Sequence, residues 1–415
     1  MPVVDGEQRK IVEEVGADGR PTGVEDDGIK DEPREPFDPK SISIEAKPIS
    51  MDALIRRLLQ GTICLAPAFQ RHVVWDEGRQ SRLIESLMLK IPLPMFYVAA
   101  DEKGNWDVVD GLQRLTALRN FVLGEIFLKT NDQALRGHGM RLKELEFWGK
   151  EYNGCTFNDL SSELTNDILE TELRFTIIHP GTPDEVKFTI FKRLNTGGMP
   201  LSPQEIRHAL YQGQATKLLK ELVESDAYVK ATGGMVNDSR MTGQELCLRF
   251  LAFSLRDVRY YKKSDMDFFL NETMRIINCM PELKQECLKK IFTDSEIPKI
   301  RTKSIESLRS RFEKAMHRSF NIFGRHTFRK SYGNNRRAPI NKTLFETWGN
   351  ILADLTGEEY EKLLEQKATF MKKYSKKLDN DDFANIIAKH SLKPSSVLER
   401  YKELRYLVKS TIETE

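Results

Sequence analysis

Apolar positions along this chain follow two rhythms, and the rhythms divide it. Met51, Leu54, Ile55, Leu58 and Leu59 recur at helical spacing, with Ser50 placed to cap the start and Gly61 the end, which predicts a first helix. Leu83, Ile84, Leu87 and Met88 repeat that spacing within Arg79 to Leu89, and Ile91-Pro92-Leu93-Pro94 stops it. Two β-type runs follow, Met95 to Ala99 and Trp106 to Val109, joined by the turn-like Asp101-Glu102-Lys103-Gly104. They predict a hairpin whose second strand enters Asp110-Gly111 and then a helix carrying Leu115, Leu118, Phe121 and Val122. Leu173 to Ile178 predicts another strand, Pro183 to Leu194 another helix, and Asn195-Thr196-Gly197-Gly198 a turn. Beyond Tyr211 helical spacing dominates, as in Leu248, Leu251, Ala252 and Leu255 or Leu344, Trp348, Ile351 and Leu352. The pattern is that of an α+β domain over residues 41–214 followed by a mostly α-helical domain over 215–415, with no internal repeat.

Composition narrows the class. The 415 residues are 40% apolar, enough for one large or two moderate cores, and no run of 18 or more apolar residues could cross a membrane. The N-terminus lacks the charged-then-apolar pattern of a secretory signal, so a cytoplasmic protein is expected. The five cysteines form no C-x-x-C pair and are read as reduced, mostly buried thiols. The net charge of +2 hides an asymmetry, because residues 1–40 hold 12 acidic and 6 basic residues with almost no aromatics. Such a segment buries too little apolar surface to offset its ordering entropy, and a disordered acidic arm is expected there.

Three clusters could carry chemistry. In Val108-Val109-Asp110-Gly111-Leu112-Gln113-Arg114-Leu115-Thr116 a strand ends at a carboxylate, a glycine permits a tight turn, and a helix begins beside Gln113 and Arg114. Free N–H groups at the positive end of a helix attract phosphate, a guanidinium can grip two of its oxygens, and Asp110 could hold magnesium or orient a water. The same spacing fits a plain turn in which Asp110 caps the helix and Arg114 pairs with a neighbouring acid. The second cluster, Pro67-Ala68-Phe69-Gln70-Arg71-His72-Val73-Val74-Trp75, crowds amide, guanidinium and imidazole groups that a bound polyanion would satisfy, with Phe69 and Trp75 better suited to a core. The third, Phe191 to Gly198 leading into Leu201, Ser202, Glu205 and Arg207, brings Gly197 and Gly198 where backbone could approach a ligand closely, although a helix cap explains them as well.

The ordered set P-x-F-Q-R…W, D-G-x-Q-R-L-T-x-L and F-x-R-L-N-T-G-G-x-x-L-x-x-x-E-I-R-x-A-L, spanning about residues 50–215, resembles the N-terminal domain of GmrSD-type restriction endonucleases, a ParB/sulfiredoxin-like fold. The family usually reads D-G-Q-Q-R; here Leu112 stands at the first Gln. The resemblance implies a nucleotide-binding, NTP-hydrolysing, DNA-associated component of bacterial restriction or anti-phage defence that uses NTP with Mg2+. It implies catalytic roles for Asp110, Gln113 and Arg114, with Asp110 on the metal, and nucleotide contacts from Arg71, Gly111, Asn195, Thr196, Gly197 and Arg207. Two-domain relatives carry a C-terminal HNH-type nuclease, but His317, His326 and His390 lack the H-x-x-P context and the following Asn. The alternative implied is a non-catalytic nucleotide- or nucleic-acid-binding module that acts with a partner nuclease.

Charge supplies the last expectation. From Lys299 to Phe345 there are 13 Lys+Arg against two acids, Glu306 and Glu313, with phenylalanines interleaved. Arg325, Arg329, Lys330, Arg336 and Arg337 are candidate DNA phosphate contacts. The competing reading is a basic face docked against an acidic surface, the N-terminal arm included.

Overall fold

The structure, a computed structural model, describes residues 12–16, 18–26, 42–65, 75–194, 201–292, 296–388 and 391–413. The chain divides into two units, Glu35–Leu201 and Met1–Arg34 with Ser202–Glu415. The division thus falls after Leu201 rather than after residue 214, and the N-terminal residues belong with the helical unit.

That assignment corrects the expectation of a disordered arm for residues 12–26. Strands β1 (Glu13–Val15) and β2 (Pro21–Glu25) pair as an antiparallel hairpin. Val24 is fully buried in the helical core, and the Glu25 N–H donates to the Ile340 carbonyl at 2.8 Å. Composition underrated this segment because a single well-placed valine and two carboxylates find partners supplied from far along the chain. Glu25 pairs with Lys330, and Glu14 with Lys342.

In the first unit a five-stranded mixed sheet runs in the order β3 (Ile44–Ser50), β7 (Glu172–Ile178), β5 (Phe96–Ala100), β6 (Trp106–Asp110), β4 (Ile63–Cys64). β5 is parallel to β7 and β4 to β6, while β3–β7 and β5–β6 are antiparallel. β3 escapes a sequence reading because Ile44 to Pro48 are exposed at the sheet edge, so backbone pairing to β7 and not a buried face makes it a strand. Phe96, Val98, Trp106, Val108, Phe175 and Ile177 are buried, and Phe96 stacks on Phe175 at 5.0 Å. Helices α1 (Met51–Leu59), α2 (Glu77–Met88), α3 (Leu112–Val122) and α4 (Ser162–Glu170) pack against one another in this unit, followed by α5 (Asp184–Leu194). The Ser50 hydroxyl caps α1 by accepting from the Ala53 N–H, as the sequence predicts. Glu85 of α2 accepts the N–H groups of Glu146, Phe147 and Trp148, fixing the long loop between α3 and α4. Burial pushes its pKa up, but the three donors outweigh that and hold it below the ordinary carboxylate range.

The second unit is helical. After α6 (Pro203–Leu210) and α7 (Gln214–Glu224), helix α8 (Thr242–Leu255) is buried along its whole length, packed by α7, α9 (Met266–Asn278), α10 (Ile305–Phe323) and α11 (Lys342–Asp354). Helices α12 (Lys367–Leu378) and α13 (Pro394–Ile412) complete the part that concerns function. Surrounding helices make α8 a core helix although it is not apolar on every side, and its buried Glu245 and Arg249 pair with each other. Among the described residues no helix is long and apolar enough to cross a membrane. Cys279 and Cys287 are joined as a disulfide, which corrects the expectation of free thiols at those two positions, whereas Cys155 and Cys247 are free.

Candidate active site

The D-G-x-Q-R turn sits where β6 hands over to α3, and a β-bulge sets its geometry. Val98 pairs with Val108, yet its neighbour Tyr97 pairs with Asp110, so Val109 is an extra residue in β6. Residues 107 and 110 would otherwise point to opposite faces. With the bulge, Asp107 opposes Ala99, Asp110 opposes Tyr97, and both carboxylates share one face with Thr176, the partner of Tyr97 on β7. This face is the more open one, since Tyr97, Asp107, Asp110 and Thr176 are half-buried and Arg174 is exposed.

Gly111 makes the turn possible. Its φ is +95°, and a Cβ there would lie 2.4 Å from Cδ1 of Phe96. It occupies the N-cap position of α3 without a side-chain cap. Asp110 thus stands one residue before the N-cap, and α3 begins at the positive end of its dipole without a side-chain cap. Leu112, at the place of the family's first Gln, is buried. Gln113 accepts the Trp75 N–H at 3.2 Å, and Gln80 donates to the Trp75 carbonyl at 2.8 Å. Arg71, Asn195, Thr196 and Gly197, expected to contact nucleotide, lie outside the described residues.

Of the two readings of Arg114, the structure shows the pairing with a neighbouring acid. Its guanidinium pairs with Asp110 at 2.9 Å, donates to the carbonyls of Pro94 and Met95, and lies 4.6 Å from the centre of the Phe96 ring. The side chain is 11% exposed against 38% for Asp110. Burial lowers the Arg114 pKa, and the Asp110 charge counteracts this. Arg114 thus fastens the turn to the start of β5 and orients Asp110, and Asp110 is the more accessible of the two. Asp107, which the sequence reading passed over, is held above the ordinary carboxylate range by burial and then by the Asp101 charge. Its signal was present only as a carboxylate inside a β-type run.

Arg207 is corrected from a nucleotide ligand to a structural cation. It is buried in the helical unit, paired with Asp267, and donates to Asn271 and Gln204 at 3.1 Å each. Arg329 and Lys330 are corrected likewise as DNA contacts. Arg329 is 2% exposed and donates to the carbonyls of Thr327 and Thr232, and Lys330 is engaged by Glu25. Burial, followed by the charge of Arg337, brings the Arg329 pKa down to about 10. Arg325 and Arg336 remain exposed and Arg337 half-buried. His390 lies outside the described residues.

Among the described residues no cluster of three or more His, Cys, Asp or Glu side chains could hold a metal ion by itself. Asp110 alone fits only the magnesium mode in which substrate phosphates and waters complete the shell. No curated protein and no solved structure matches this chain. Residues 54–212, which run from within α1 to the end of α6 and include the whole Asp110 turn, match the family model described as "GmrSD restriction endonuclease, N-terminal domain", and the chain therefore carries a domain of that family.

Proposed function

We propose that the Asp110 turn binds a nucleoside triphosphate with Mg2+ and hydrolyses it, in a ParB/sulfiredoxin-like domain serving the restriction or anti-phage context to which the family match relates this chain. The observation that carries the reading is the bulge at Val109. It turns Asp110 onto the open face beside Tyr97 and Asp107, next to a helix start without a side-chain cap.

Bound magnesium would supply charge neutralisation at the phosphates. Asp110 would hold it through the carboxylate that Arg114 orients, and the α3 amides would take a phosphate oxygen. Asp107, whose pKa burial raises, would position a water from the same face. Hydrolysis adds that water to the terminal phosphorus, breaks its bond to the bridging oxygen and releases phosphate with one proton. DNA association then rests on Arg325, Arg336 and Arg337 rather than on the full basic stretch.

A second reading, binding without turnover beside a partner nuclease, is favoured by one observation: the Arg114 guanidinium is already committed to Asp110 and two carbonyls. Calorimetric titration of ATP and GTP with Mg2+, together with phosphate release, separates the readings. Asp110→Asn is expected to weaken Mg-NTP binding at least tenfold. Parental affinity in that variant would sink both readings, and binding without phosphate release selects the second.

A further inference from the structure

The helical unit contains a cavity of about 420 Å³ between the end of α10, the loop after it and one face of α12. Its floor is apolar, formed by Ile322, Phe323 and Met371, and its rim carries Arg325, Lys367 and Lys372. We infer that this cavity is a second ligand site, one that seats a nucleotide unit with its flat apolar part on the floor and its phosphate on Arg325, Lys367 and Lys372.

The convergence of three cations on one apolar concavity carries the inference. Five of the thirteen cations of the basic stretch have carboxylate partners: Arg301 with Asp257, Arg309 with Glu221 and Glu306, Arg311 with Asp354, Lys330 with Glu25, and Lys342 with Glu14 and Glu245. Arg318 and Lys314 donate to carbonyls at the end of α11, away from the cavity lining. Among the described residues the three rim cations have no carboxylate partner. Arg325 donates to the carbonyls of Gly333 and Asn335, and Lys367 donates to the Asn321 carbonyl at 2.7 Å. Among the described residues no carboxylate lines the cavity; Tyr332, which does line it, donates its hydroxyl to Asp379 at 2.6 Å.

The field in the cavity agrees with that geometry. His326 lines it, and burial together with the charges of Arg325, Arg329 and Arg337 holds its imidazole below the ordinary range, against a bond to the Gly333 carbonyl that pulls the other way. A concave site of this size with an apolar floor and a few convergent cations falls within the roughly 300–1,000 Å³ typical of small-ligand pockets. Phosphate supplies the anion that unneutralised cations attract, and a base or sugar supplies the flat body for the floor. This site is independent of the Asp110 reading and shares only Arg325 with the DNA reading.

The test uses the full chain, with free AMP, a 5′-phosphorylated single-stranded oligonucleotide and the same strand without its phosphate as probes at low salt. Lys372→Glu and the cavity-filling Met371→Trp are each expected to weaken phosphorylated probes about tenfold, while Lys402→Glu, the same charge change at an exposed residue of α13, leaves them unchanged. Melting curves of the variants confirm that the fold persists, and Lys367→Gln supplies a milder variant should Met371→Trp not fold. Loss of AMP binding identifies a free nucleotide as the occupant, and loss confined to the oligonucleotides identifies a strand; both support the site. Equal effects from Lys372→Glu and Lys402→Glu, or no effect from either cavity variant, would overturn it. Asp110→Asn leaves this readout unmoved, which keeps failure here distinct from failure of the proposed function.

Discussion

The two units treat charge in opposite ways. In the sheet unit the carboxylates of Asp107 and Asp110 stay half-buried on an open face, steered by one arginine that is itself tied to backbone. In the helical unit Arg400 and Glu346 are both completely buried, Arg256 pairs with Glu272, and Arg207 pairs with Asp267. A twisted sheet covered on one side leaves polar side chains of its other side near water, where they can meet a ligand. A helix surrounded by helices offers no such side, so its charges must find partners inside. Identical residue types therefore stay near solvent in one unit and hold structure in the other.

The contrast breaks hardest at the buried pairs. Glu346→Gln leaves Arg400 without its charge partner, and its Nη2 bond, unlike those to Thr347 at 2.9 Å and to the Ser391 carbonyl at 2.7 Å, was the one to a carboxylate. A cost of about 3–5 kcal/mol is expected, read as a lowered urea midpoint of the helical transition. A change below about 1 kcal/mol would mean that the pair is not what holds α11 to α13.

Acid probes the same unit through His208, which burial, opposed by a bond with Gln244, brings down to about 4 from 6.5. Its folded pKa lies below the unfolded one, so the unfolded chain takes up a proton first as pH falls. The contribution is complete above pH 6.5 and is lost between 6.5 and about 4. It amounts to about 3 kcal/mol across that window, and His208→Gln should be less sensitive to acid by that amount in paired urea titrations.

Removing residues 1–26 deletes Val24 from the core and the carboxylates that meet Lys330 and Lys342, so a loss of about 2–3 kcal/mol is expected in calorimetric melting. An unchanged melting temperature would restore the picture of a detached acidic arm. In the sheet unit the sharpest probe is Gly111→Ala, which forces a side chain against Phe96 at a left-handed position and should cost about 2 kcal/mol. If that variant also loses Mg-NTP binding while Ala at the exposed turn residue Gly104 does not, the turn and the ligand share one geometry.

Much of the sheet unit was legible in advance. The helix at Met51, the β5–β6 hairpin, β7 and the start of α3 stand where periodicity and capping residues put them, because those signals are local. The D-G-x-Q-R segment was legible for the same reason: its turn is encoded in five consecutive residues. Less legible were β3, an exposed strand made by its partner, and the bulge at Val109, which exists only once β5 is aligned with β6.

What the sequence determined by itself was therefore the kind of residue available at each place, the division into a mixed and a helical part, and the position of the Asp110 turn. The tertiary structure decided which charges remain available. Thirteen cations between residues 299 and 345 are a count, and a count cannot reveal that Glu14, Glu25, Asp257 and Asp354 arrive from elsewhere to neutralise many of them. Nor can spacing reveal that Arg114 turns back onto Asp110 and the carbonyls of Pro94 and Met95. Coulomb attraction and burial act through space, and only the fold sets the distances over which they work.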